Sequence, residues 1–184
     1  VKSESVRALQ LDEPTPGSGV NADRERNGLM FDLEALLAPE HVLPRLRARC
    51  RREAFRAMAE AVSPAAGAPC QTILDALLER EKLGSTALGG GVAVPHARLD
   101  TLDGMMGCIA RLDPPVDFEA IDGQPVDLVF MLLAPEHAGS AHLRALAKVA
   151  RVFRERQVVA GLRGAADADA IYAVLAEHQA SHAA

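Results

Sequence analysis

Residues 84–98 read GSTALGGGVAVPHAR. One imidazole, His96, follows directly on Pro95 and closely on Gly89, Gly90 and Gly91. A neutral imidazole nitrogen is a nucleophile or a metal ligand. The three glycines permit backbone conformations closed to other residues. Pro95 fixes its own φ and biases Val94 towards an extended conformation. Such a frame aims one side chain from the end of a strand. It is also how a chain builds an ordinary surface loop, and these local features alone leave both readings open.

Two further residues have chemistry to offer. His142 lies two positions after Ser140, which the pattern makes the cap of a helix following an apolar strand. A helix start of this kind offers free N–H groups and a favourable field to an anion. Read locally, His142 is also an ordinary polar first-turn residue. Arg80 stands near the end of the helix that leads into the glycine run. There it either offsets a helix dipole or holds a phosphoryl group beside an imidazole.

Several chemistries compete for these parts. A metal site would draw on His96, His137 and His142. The five-residue step between the last two is poor helical spacing, and no ligand motif adds a Cys or carboxylate. A hydrolase would need Ser85 or Ser140 as nucleophile, and no GxSxG elbow is present. The glycine run lacks the GK[ST] of a P-loop. A phosphocarrier needs a neutral imidazole, alignment and positive charge, with neither metal nor nucleotide cofactor. Only this scheme employs His96, His142 and Arg80 together.

These residues must be positioned by mixed elements. The sequence predicts a helical turn over 33–37, a strand over 42–46 that Pro44 assigns to an edge, and a helix over 51–62 broken at Ser63-Pro64. A second helix spans 70–82, with Ile73, Leu74, Leu77 and Leu78 as its buried stripe. Short strands follow around Val92–Val94 and over 107–112, and the apolar run 126–133 reads as central. A long helix after Ser140 would bury Leu143, Leu146, Ala150 and Phe153, and a last helix covers 167–177. The fold class is α/β, a mixed β-sheet flanked by helices. Residues 1–28 are polar and aperiodic. They read as a disordered leader, a mis-set start or a non-native extension, with Met30 as a candidate start and one folded unit over 29–180.

The composition narrows the partners. The chain has 184 residues, a formal net charge of −5 and 49% hydrophobic residues. An acidic protein is a poor nucleic-acid binder, and the arginine run 45–56 reads as a solvated helix face. The 3 cysteines are widely spaced, which opposes a disulfide framework and a structural zinc. No stretch is apolar for long enough to span a bilayer, and no secretory core begins the chain. The expectation is a cytoplasmic protein.

The segments LEREKLGSTALGGGVAVPHARLD (78–100) and PVDFEAIDGQPVDLVFMLLAPEHAGSAHLRALAKVARVFR (115–154) resemble the fructose/mannitol/nitrogen class of EIIA domains of the bacterial phosphoenolpyruvate-dependent phosphotransferase system. REKLGST, VPHA and DGQPVDLVF, in this order and spacing, are specific together. The nitrogen branch is the most similar. The resemblance implies a single type-2-like EIIA domain in which His96 is the phosphorylated histidine and His142 supports the phosphoryl group, with Arg80 near the site. It implies an HPr-like phosphocarrier as donor and, in the nitrogen branch, regulatory targets such as potassium-transport and sensor-kinase proteins. In the sugar branch the phosphoryl group would pass to an EIIB domain. The mannitol branch has an acidic residue six positions before the active histidine, where this chain has Gly90. The given chain carries no EIIB- or EIIC-like segment, which suits the regulatory branch. Ala97 stands where many members have glycine.

Overall fold

In the computed structural model, which describes residues 33–182, the run from Val126 to Pro135 forms strand β6, almost wholly buried. A strand buried on both faces must satisfy its backbone through neighbours on both edges. On one edge it pairs antiparallel with β5 (Met106–Val116), which in turn pairs parallel with β1 (Val42–Leu46). On the other it pairs parallel first with β3 (Val92–Ala93) and then with β4 (His96–Leu99). Strand β2 (Ala87–Gly89) pairs antiparallel with β3 and closes the order β1-β5-β6-β3-β2. The sheet is mixed, β6 is central, and Pro44 lies in an edge strand, all as the sequence predicts.

Helices cover both faces. Helices α1 (Arg51–Ala66) and α2 (Cys70–Lys82) place Phe55, Met58, Val62, Ile73, Leu74 and Leu77 in one core with Val129, Met131 and Leu133 of β6. Strand alternation sends Leu128, Phe130 and Leu132 to the opposite face. There Phe130 meets Phe153, at the end of α3 (Gly139–Val152), with ring centroids 5.3 Å apart. Helices α4 (Arg156–Gly164) and α5 (Ala168–His182) complete the chain, and the Tyr172 hydroxyl of α5 donates to the Leu37 carbonyl at 2.8 Å.

The structure revises several expectations. Helix α1 continues through Ser63-Pro64 to Ala66 and ends at Gly67, whose φ of 60° is the left-handed stop. Proline's φ is helical, and the one carbonyl it leaves unpaired is that of exposed Glu60, within reach of water. In α3 the inward face is His142, Ala145, Val149 and Val152, whereas Leu143 is 61% exposed. Of the expected stripe Phe153 is buried, Leu146 and Ala150 are half-buried, and Leu143 alone faces outward, so the inward face is turned towards the positions one residue earlier. Ser140 is not a cap: a short 3-10 turn (Glu136–Ala138) runs into the helix, and the Ser140 hydroxyl accepts from Arg144 Nη1 at 3.1 Å. Helix α4 is not legible in a nine-residue stretch holding two glycines and a Val pair; it forms by burying Val158, Val159 and Leu162. Strand β5 extends beyond 112 to Val116, with its register shifting before Val116. The leader over 1–28 and the candidate start at Met30 lie outside the described residues.

Helix α4 also fastens the glycine loop. Arg163 Nη2 donates to the Gly90 carbonyl at 2.7 Å and to Asp127 Oδ1 at 2.6 Å. The Gly90 N–H donates to Asp122 Oδ2 at 2.8 Å. Gly91 has a φ of +80°, and a Cβ there would sit 2.6 Å from Arg163 Nη2 and 2.9 Å from Asp127 Oδ1. Gly91→Ala should therefore lose about 1–3 kcal/mol of stability, read as a lowered urea midpoint. An unchanged midpoint would mean the clamp can yield at no cost.

His41 is buried, and neither ring nitrogen makes a well-formed hydrogen bond, the Gly107 backbone lying near without closing one. Burial holds its ring below the ordinary imidazole range, outweighing Glu40 and the Gly107 backbone. The unfolded chain then binds a proton that the folded one refuses. Stability contributed by neutral His41 is present above the ordinary imidazole pKa and declines as pH falls through it. Urea midpoints across the imidazole range should fall less steeply towards acid in His41→Leu than in the parent. Equal slopes would remove His41 as the source.

Candidate functional site

The backbone before His96 is held from three sides. Glu81, buried near the end of α2, accepts from the Thr86 N–H at 3.1 Å and from its hydroxyl at 2.8 Å. Arg51 Nη1 lies 3.3 Å from the same carboxylate and balances its charge. The Thr86 carbonyl then accepts from the Val94 N–H at 3.0 Å. Pro95 has no N–H for the ladder, so β3 and β4 are separate segments, yet its carbonyl still accepts from the Leu132 N–H at 3.0 Å. His96 opens β4, opposite Leu132, and is itself part of the sheet. The sequence places it only at the end of the preceding strand.

The ring of His96 has both nitrogens engaged. Nδ1 is 2.9 Å from the Val94 carbonyl, and Arg80 Nε donates to Nε2 at 3.0 Å. A guanidinium has no acceptor and a carbonyl no donor, so the network assigns the proton to Nδ1 and the lone pair to Nε2. Burial is the main force keeping this ring below the ordinary imidazole range. The Val94 carbonyl pulls it up, Arg80 and Arg98 push it down, and Glu81 pulls it up. Arg80 is further oriented by its Nη1, which donates to the Gly84 carbonyl at 3.1 Å.

His142 comes to the same place from the other side of the sequence. Its ring centroid is 5.7 Å from that of His96, with the planes inclined at 66°. It is 4% exposed, and burial, then His96, then Arg98 all push its ring below the ordinary imidazole range. His96, His142 and Arg80 all line one cavity of about 520 Å³, so the three residues singled out in the sequence do converge. His137 is exposed and lies outside this cavity. Among the described residues, no group of three or more His, Cys, Asp or Glu could hold a metal ion. Cys50, Cys70 and Cys108 are free thiols. None of them lines the cavity, and burial pushes the Cys108 thiol up to about 12.

Sequence reasoning missed two parts of the site. Arg98 also lines the cavity and donates from Nε to His142 Nδ1 at 3.1 Å. A strand reading carried past Pro95 would have found it, since residues 96 and 98 then share a face. Leu83 and Leu143, 85% and 61% exposed, form an apolar rim around the cationic floor. No periodicity signals them, because both look like core residues. The whole can hold a small dianionic group beside the Arg80 guanidinium and two neutral imidazoles, one of which offers a lone pair, with Arg98 bound to the other.

No described helix is long and apolar enough to cross a membrane. The profile of the family described as "Phosphoenolpyruvate-dependent sugar phosphotransferase system, EIIA 2" matches residues 35–178. A nitrogen regulatory protein of Bradyrhizobium diazoefficiens is 50% identical over 141 residues, which is 77% of this chain and 92% of that protein. One of Pseudomonas aeruginosa is 39% identical over 153 residues, 82% of this chain and 98% of that protein. The crystal structure of nitrogen regulatory protein IIA-Ntr from Neisseria meningitidis superposes with a TM-score of 0.74 at 33% identity, covering 77% of this chain and 97% of that one. With its mixed sheet, its paired histidines and these relatives, the chain belongs to the EIIA 2 family of the phosphoenolpyruvate-dependent sugar phosphotransferase system.

Proposed function

We propose that this chain is a cytoplasmic histidine phosphocarrier of the nitrogen branch. It accepts a phosphoryl group on His96 from an HPr-like protein and regulates its partners by its state of phosphorylation. The reading rests above all on the neutral His96 ring, held between the Val94 carbonyl and Arg80 with its lone pair on Nε2 in a cationic cavity. The relatives named nitrogen regulatory proteins support regulation as the output. Potassium-transport or sensor-kinase proteins are the targets that the family resemblance implies.

The step balances without a cofactor, because the incoming phosphoryl group is already activated. The donor's phosphohistidine, protonated on its other ring nitrogen, aligns with His96 Nε2. The N–P bond to His96 forms as the donor's P–N bond breaks. The donor ring leaves neutral, and His96 keeps its Nδ1 proton on the Val94 carbonyl. Arg80, freed from Nε2, turns to the phosphoryl oxygens and stabilises their charge. The phosphoryl oxygens bring roughly −2 of charge, offset by about +1 on the ring that keeps its Nδ1 proton, so a cationic face gains a net charge of about −1, and such a change can switch a binding surface.

Incubation with a phosphorylated HPr-like donor should add one phosphoryl mass to the parent and none to His96→Ala. Addition to the Ala variant would move the acceptor elsewhere. The phosphorylated parent should hold its group when mixed with sugar-branch EIIB domains. Rapid loss to an EIIB cysteine would replace the regulatory reading by the fructose/mannitol one.

Because only the neutral ring attacks, and its pKa lies below the ordinary value, the acceptance rate should stay level as pH falls through the ordinary imidazole range and drop only below it. Arg80→Ala should slow acceptance by ~10²-fold. It should also move the acid fall to higher pH, since a charge that lowers the ring's pKa is gone. A slowed rate with an unmoved profile would confine Arg80 to the transition state.

A further inference from the structure

Arg98 stands two residues after His96 in β4, so both side chains leave the same face, while Ala97 and Leu99 enter the core. Its Nε is 3.1 Å from His142 Nδ1. A guanidinium only donates. Nδ1 of His142 must therefore keep its lone pair, and a neutral ring then carries its proton on Nε2. A doubly protonated ring would set N–H against N–H and lose this contact. His142 Nε2 is buried and has no partner in the resting protein. A buried donor without an acceptor is costly, and an acceptor arriving in the cavity would remove that cost.

The two histidines are thus set in complementary ways. Arg80 donates to Nε2 of His96 and leaves that nitrogen with a lone pair; Arg98 donates to Nδ1 of His142 and leaves Nε2 with a proton. We infer that Arg98 is a positioning residue that fixes His142 as its Nε2–H tautomer, so that His142 offers a hydrogen-bond donor to the phosphoryl group on His96. In the other tautomer His142 would turn a lone pair towards an anion. The inference deepens the phosphoryl-acceptor reading above and rests on it.

Long-range proton–nitrogen NMR of the full chain reads the tautomer directly. The parent should show His142 protonated on Nε2 alone. Arg98→Leu should mix the tautomers, and Arg98→Lys, which retains a cationic donor, should restore the parent signature in part. The rate of phosphoryl acceptance should fall about tenfold in Arg98→Leu, the scale on which orienting partners of a functional histidine act. In a His142→Ala background the same substitution should cost nothing more, because its effect runs through His142. An Nδ1–H tautomer in the parent would overturn the inference. So would a tautomer that ignores Arg98→Leu, or an equal loss of rate with and without His142, which would make Arg98 a direct ligand. If the parent accepts no phosphoryl group at all, the functional reading fails, and the NMR signature still decides whether Arg98 sets the His142 tautomer.

Discussion

Pro95 has no N–H, yet it lies between two strand segments that both pair with the buried strand β6. A proline inside a sheet costs one ladder bond, and the chain offsets that loss locally. The Pro95 carbonyl stays in register with Leu132, and the Val94 N–H, turned away from β6, is taken by Thr86. The Val94 carbonyl is thereby free to receive the Nδ1 proton of His96. Pro95 separates the two pairings with β6, the Val94 carbonyl receives the Nδ1 proton, and Arg80 at Nε2 completes the assignment of the tautomer.

The second constraint is electrostatic. Glu81 is buried among apolar side chains and survives as part of a set with Arg51 and Thr86. Removing Arg51 or Thr86 would leave the buried Glu81 carboxylate short of partners. That set lies one residue from Arg80, so the end of α2 is held while the guanidinium of Arg80 crosses to His96. On the cavity side the arrangement is reversed: Arg80 and Arg98 stand against two imidazoles that burial keeps neutral. Positive charge with no carboxylate lining the floor except Glu79, which is exposed, suits an anion that arrives and departs.

The glycine run has a related role. Its backbone polar groups are tied to Asp122, Asp127 and Arg163, which belong to the turn before β6, to β6 itself and to α4. The acid that the mannitol branch carries at the position of Gly90 has no counterpart in the side chain here. Asp122 instead reaches the Gly90 N–H from a distant part of the sequence. Three separate elements converge on the loop and tie its backbone, while each glycine only makes the approach sterically possible.

Much of this was legible before folding. The 70–82 helix, the central strand and the edge proline follow from local signals, apolar period and turn residues, whereas the grouping of His96, His142 and Arg80 was an expectation from the family resemblance. Such signals act over a few residues, and a linear chain displays them whole. The rotation of α3, the helix at 156–164, the place of His96 within the sheet and the Arg98–His142 bond were not legible. Each is settled by packing between segments far apart in sequence: α3 turns until His142 is inward and Leu143 outward, and Val158, Val159 and Leu162 become helical by being buried. Residue types near His96 admit phosphoryl chemistry beside an ordinary loop. Which nitrogen bears the proton depends on two arginines brought to the rings by a helix and a strand, and only the tertiary structure decides that.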